Sequence, residues 1–124
     1  MDFKKDTSFY TGRLKSIGYA VRGAYKLVTS EHSIMTQFFI ALLLIVMGFY
    51  FDISATEWML QIFTTGLVLA VEGLNTAVEK ICDFIQPKYD ERIGFIKDIA
   101  AGAVLFAALA AMAIGVIIYV PKIL

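Results

Sequence analysis

The sequence has 124 residues, is 59% hydrophobic, and carries eleven basic and eleven acidic residues that balance to a net charge of zero, with a mean hydropathy of +0.73. Soluble proteins are about 45–50% apolar, so this composition predicts one integral-membrane domain spanning residues 1–124. A zero net charge gives no case for nucleic acid binding, and the chain has no GxxxxGK[ST] loop, no G-x-G-x-x-G turn and no H-R-D catalytic loop.

Met1 to Ser8 is polar and charged, an end expected to fray. From residue 9 to about 29 the pattern is that of an amphipathic helix lying in the membrane interface. Leu14, Ile17, Val21, Ala24, Tyr25 and Val28 recur every three or four residues, with Lys15, Arg22 and Lys26 on another face. Gly18 and Gly23 narrow this helix, and Tyr19 and Arg13 could reach a polar ligand from it. No signal peptide is expected, because a charged stretch precedes the first apolar run and no small-residue cleavage site follows a short apolar core.

Ser30 is expected to cap the next helix, with Glu31 in its first turn. The first membrane run, within residues 32–51, holds FFIALLLIVMGFYF and ends at Asp52. His32 reads as an interfacial side chain rather than a ligand. Asp52 to Thr56 makes a tight turn, after which Glu57 sits at the positive end of a second helix and Trp58 serves as an interfacial aromatic.

The second long helix, residues 56–85, carries the residues that a bilayer helix tolerates least. Glu72, Asn75, Glu79 and Asp83 fall within an arc of roughly 80° on a helix that turns about 100° per residue. Each carboxylate near the centre of a bilayer helix costs about 2.5–3.5 kcal/mol on the insertion scale, so such a stripe needs a purpose or partners. Counting about 20 residues from Trp58 puts the inner membrane face near Ala77. Glu72 then lies roughly 7–8 Å below that face, and Glu79 and Asp83 at or above it. Cys82, the only cysteine, reads as a packing residue. Gln86 and Pro87 end the helix, and Lys88 to Arg92 forms a charged loop.

A third membrane helix is expected over residues 93–120, opening with Lys97 and Asp98 and stopped by Pro121. Its small residues, Ala100 to Ala103 with Ala107, Ala108, Ala110 and Ala111, suit close approach to Gly66 and Gly73 of the preceding helix. Six of the basic residues precede the first run and four surround the loop between the second and third, whereas residues 52–57 have none. The positive-inside rule therefore puts the N-terminus and the charged loop in the cytoplasm and the C-terminus outside.

Glu31, Glu72, Glu79 and Asp98, with the cation Lys97, all fall within about two helical turns of the inner face. Magnesium takes oxygen ligands, often one or two carboxylates plus phosphate oxygens, and a lysine beside them can hold a phosphate as a point charge. Glu72 is placed to act as base for a hydroxyl arriving from the lipid side. The set suits metal-assisted phosphoryl transfer from a cytoplasmic nucleotide to a lipid alcohol, in which positioning and charge neutralisation supply most of the catalysis. The competing reading is structural: Glu72, Asn75 and Glu79 satisfy one another, Lys97 and the surface helix.

The strings VEGLNTAVEK and IKDIAAGAVL, joined by a proline-containing loop with KYD, resemble the signature of the prokaryotic diacylglycerol kinase and undecaprenol kinase family, over about Arg13 to Val120. The resemblance implies an all-α membrane protein, a homotrimer whose chains each have a surface helix and three transmembrane helices. It implies transfer of the γ-phosphate of Mg-ATP to undecaprenol or diacylglycerol in the bacterial inner membrane. By the same resemblance Glu72 accepts the proton of the lipid hydroxyl, Asn75 orients the reacting groups, and Glu31 and Glu79 are metal ligands. Lys97 and Asp98 contact the nucleotide, matched more loosely by Tyr19, Lys88, Tyr89 and Asp90. Arg13 stands one residue closer to Tyr19 than the corresponding arginine of the diacylglycerol kinase branch. Gln37 stands where that branch has a second glutamate, which leans the chain toward undecaprenol. A small transporter and a noncatalytic scaffold are the rivals, but the stripe lies away from the midplane and no paired repeat is present.

Overall fold

The computed structural model describes residues 9–124, so the expected fraying of Met1 to Ser8 lies outside the described residues. The chain is helical in four pieces: α1 (Phe9–Ser30), α2 (His32–Tyr50), α3 (Ala55–Ile85) and α4 (Glu91–Ile123). Of these, α2 and α4 are long and apolar enough to cross a membrane. Their order, and their bounds to within one to three residues, agree with the periodicity and breakers of the sequence.

No residue of α1 is buried. Its apolar row remains open, with Leu14, Ile17, Val21 and Tyr25 all exposed, as suits a helix that lies on an apolar surface. One residue, Glu31, separates α1 from α2. It adopts extended dihedrals (φ −110°, ψ 117°) and is itself the N-cap of α2, without a side-chain capping bond. Ser30 is therefore not the cap. Its hydroxyl donates back to the Lys26 carbonyl, a bond within α1 that a serine in a last turn makes readily.

The α2–α3 connection is short and well determined. Asp52 takes a left-handed conformation (φ 50°), which aspartate tolerates better than most residues. Ser54 and Glu57 form a reciprocal capping box: Ser54 N–H donates to Glu57 Oε1 at 2.9 Å, and Glu57 N–H donates to Ser54 Oγ at 3.2 Å. The other Glu57 oxygen meets Lys122 Nζ at 2.8 Å, tying the start of α3 to the end of α4. Trp58 is more than an interfacial aromatic. Gly48 packs so closely on it that a Cβ there would lie 2.5 Å from the indole ring.

The buried core gathers at this end, around Ile53, Ile118 and Tyr119, flanked by Leu44, Met47, Phe51, Trp58 and Ile114. Gln61 and Tyr119 are buried here and satisfy each other. Gln61 Nε2 donates to the Leu44 carbonyl at 3.0 Å, and the Tyr119 hydroxyl donates to Gln61 Oε1 with the same carbonyl 3.4 Å away. One carbonyl of α2 is thus held by side chains from α3 and α4, an interhelical bond of the kind that joins membrane helices.

α4 opens two residues earlier than expected, at Glu91, because Asp90 is its N-cap. It also runs past Pro121 to Ile123. A proline in the last turn removes only one intrahelical bond near an end where the helix is finishing anyway. α4 packs most extensively on α3 and Ala107 is buried, but Ala101, Ala103 and Ala110 are exposed and a Cβ on Gly66 would meet nothing within 4 Å, so the expected close approach to Gly66 is not seen. Gly73 does not serve that contact either: a Cβ there would meet Leu27 of α1 at 3.1 Å, so this glycine seats the surface helix. Cys82 is buried and free, as a packing residue should be.

Candidate active site

The stripe lies along the face of α3 that turns inward, half-buried at Glu72 and Asn75 and exposed at Glu79 and Asp83. Buried Gln61, Thr64, Val68 and Thr76 mark that face, and at about 100° per residue Glu72, Asn75 and Glu79 continue it. Asn75 Nδ2 donates to Glu79 Oε1 at 3.1 Å, one turn along the helix. Two oxygens on the same face are left over. Glu72 Oε2 and Asn75 Oδ1 are both buried and, among the described residues, accept no hydrogen bond. A buried acceptor without a donor costs about 1–3 kcal/mol, and such groups in native proteins are few. Both oxygens can be satisfied only by a donor or a cation.

Asp83, the fourth member of the stripe, has a different partner from the rest. It pairs with Lys97 Nζ at 2.6 Å across the α3–α4 corner. Lys97 is half-buried there. Together they border a shallow pocket of about 100 Å³ whose wall includes Lys88, Tyr89 and Asp90. Four of the six residues singled out for the nucleotide are thereby brought together. Asp90 accepts from Arg92 at its backbone N–H (2.8 Å), Nε (3.2 Å) and Nη2 (3.1 Å), and the Arg92 guanidinium holds its carboxyl below the usual carboxylate range. Tyr89 is almost wholly exposed.

Asp98 is exposed on α4 and is not part of the pocket wall. Tyr19 is half-buried on α1, its ring centre 5.7 Å from the Arg22 guanidinium carbon. Glu31, at the α1–α2 joint, meets Lys80 of α3 at 3.4 Å. The pairing draws Glu31 to the stripe's end of the molecule, since Lys80 is the residue that follows Glu79. Among the described residues no group of three His, Cys, Asp or Glu converges as a metal cage. Magnesium does not require one, because it binds through one or two carboxylates and fills the rest of its shell with phosphate oxygens and water. Glu79, which spends only Oε1 on Asn75, and Glu31, paired only with exposed Lys80, are hard oxygen donors of the right chemistry.

Two features escaped the sequence reading. The Asp83–Lys97 pair spans fourteen residues and no local pattern announces it. Gln61 did carry a signal, as a polar residue in an apolar helix on the same face as Glu72.

Residues 18–119 match the family described as prokaryotic diacylglycerol kinase. The chain is 32% identical over 122 residues to an undecaprenol kinase of Bacillus subtilis (strain 168), which covers 98% of this chain and 99% of that protein. It is 32% identical over 107 residues to a diacylglycerol kinase of Escherichia coli (strain K12), covering 86% and 88% of the two chains. A diacylglycerol kinase of Synechocystis sp. is 31% identical over 112 residues, or 90% of this chain and 64% of that one.

Proposed function

Since the chain belongs to the prokaryotic diacylglycerol kinase family and is a lipid kinase, we propose that it transfers the γ-phosphate of Mg-ATP to a membrane lipid alcohol at the cytoplasmic face of the bacterial inner membrane. The acceptor is undecaprenol or diacylglycerol. The fuller alignment with the undecaprenol kinase, across 99% of that protein, supports the first, as does Gln37. In this reading α3 crosses the membrane with α2 and α4, and the working unit is a homotrimer.

The observation that carries the proposal is the pair of buried, unsatisfied oxygens on Glu72 and Asn75. A stripe used only for packing would have satisfied them. In our reading Glu72 receives the hydroxyl of the lipid and takes its proton, so the alcohol oxygen attacks the γ-phosphorus and ADP leaves. Asn75, held by Glu79, fixes the orientation of the reacting groups. Lys97, Lys88 and Tyr89 border the pocket that receives the phosphates, with Asp98 and Tyr19 reaching the nucleotide from outside its wall. Glu79 and Glu31 would hold magnesium, which supplies charge neutralisation to the transferred group when bound.

The test is the Glu72→Gln variant, which keeps the shape of the side chain and removes its basicity. Phosphoryl transfer should fall by about 10²–10⁴, the range attributed to a general base, while insertion and assembly match the parent. Activity near that of the parent would remove Glu72 from this role.

A further inference from the structure

Glu31, read above as a magnesium ligand, and Lys97, read as a phosphate contact, each form an ion pair with a side chain of α3. Glu31 meets Lys80 Nζ at 3.4 Å, and Lys97 Nζ meets Asp83 Oδ1 at 2.6 Å. Lys80 and Asp83 stand three residues apart near the end of α3, just beyond Glu79. That spacing is about 4.5 Å along the axis and makes them neighbours on the helix surface.

Exposure decides which member of each pair can leave. Lys80 is 70% exposed against 27% for Glu31, and Asp83 is 62% exposed against 38% for Lys97. In both pairs the α3 residue can swing into water, while its partner stays where the fold puts it. Glu57 and Lys122, at the far end of the bundle, are each 26% exposed, so neither gives way and that pair only ties helices together. Glu31 makes no side-chain capping bond on α2, which leaves Lys80 as the contact it exchanges. Asp83 and Lys97 share the wall of the pocket read as receiving the phosphates, so a phosphate reaching Lys97 competes with the Asp83 carboxylate.

We propose that Lys80 and Asp83 are positioning residues that hold Glu31 and Lys97 in place until Mg-ATP arrives, and then give them up, Glu31 to magnesium and Lys97 to phosphate. The inference rests on the lipid kinase reading above and adds to it the side chains that the nucleotide displaces. Exposed ion pairs are weak because water screens them. A divalent cation therefore outcompetes one ammonium for Glu31, and a polyphosphate outcompetes one carboxylate for Lys97. Released together, Lys80 and Asp83 neutralise each other across one turn of α3, so the exchange strands no charge. The device favours the complete Mg-ATP complex, since magnesium alone frees only Lys80 and nucleotide alone frees only Asp83.

A zero-length carbodiimide cross-linker joins a carboxylate to an amine only where the two touch, and so reads these pairs directly. The purified protein in detergent is treated without ligand and with magnesium plus a non-hydrolysable ATP analogue, and linked peptides are measured by mass spectrometry. Without ligand, Glu31–Lys80 and Asp83–Lys97 links should both form. At about ten times its Kd the analogue leaves roughly a tenth of the sites free, so both links should fall about tenfold. The Lys80–Asp83 link should rise, and Glu57–Lys122 should not change. In a second measurement, manganese binding without nucleotide is followed by electron paramagnetic resonance. Lys80→Met should lower the half-saturating manganese concentration about threefold, in the range of a lost exposed ion pair, and Asp83→Asn should not lower it. Links that persist at saturating analogue overturn the proposal, as does unchanged manganese binding in Lys80→Met. Calorimetry on the same samples reads the analogue itself: a parent protein that does not bind it would sink the kinase reading, and this inference with it.

Discussion

The residues that decide the chemistry are those whose side chains stay incomplete within one chain. Glu72 Oε2 and Asn75 Oδ1 lack donors, whereas Asp83, Glu57 and Asp90 are each matched by a cation. That contrast marks Glu72 and Asn75 as groups kept for a ligand, and Glu31 falls between, since its only cation is exposed Lys80 at 3.4 Å, a contact that a metal can replace. Glu79 stands between the two groups, since it positions Asn75 and retains a second carboxylate oxygen. Glu79→Ala should therefore raise the magnesium concentration needed for half-maximal rate and disorient Asn75. A magnesium titration that superimposes on that of the parent would remove Glu79 from the metal. Glu57 resembles Glu79 in sequence, both being acids near one end of α3, yet its two oxygens are spent on Ser54 and Lys122.

At the scale of elements, α2, α3 and α4 are joined at one end by a neutral polar clasp beside the Glu57–Lys122 pair, and α3 and α4 are joined at the other by the Asp83–Lys97 pair. The clasp gives a sharp expectation. Gln61→Leu removes one side of a buried hydrogen-bonded pair and leaves the Tyr119 hydroxyl with a long bond to Leu44, costing about 1–2 kcal/mol. Adding Tyr119→Phe removes the stranded hydroxyl as well, so the double variant should recover much of that loss. Thermal unfolding in detergent reads both, and simply additive losses would contradict the clasp. The order of the helices was legible from hydrophobic periods and breakers, because each of those signals is local. Helix partners were not. Periodicity tells which face of α3 is inward, but not that Gly73 on it seats Leu27 of α1. Ser54 with Glu57 is a legible capping box, and the reading stopped at Glu57. The stripe itself was legible because carboxylates in an apolar helix are costly, whereas the pairing of its last member with Lys97 depends on a turn whose geometry no local pattern fixes.

Taken whole, the chain buries little. Its one buried cluster among the described residues lies at one end, single residues such as Ile34, Val68 and Cys82 are buried elsewhere, and large apolar side chains such as Phe63 and Phe106 on the long helices stand open. Lipid can cover such a surface, and further copies of the chain can cover it too by close helix packing. Native mass in detergent should correspond to three chains, and a monomer with full activity would refute the trimer. The central claim is tested most directly by offering labelled Mg-ATP to the purified protein with undecaprenol and diacylglycerol in separate reactions. Label in a lipid, greater in undecaprenol and lost in Glu72→Gln, is the predicted result. No label in either lipid from the assembled protein would contradict the account.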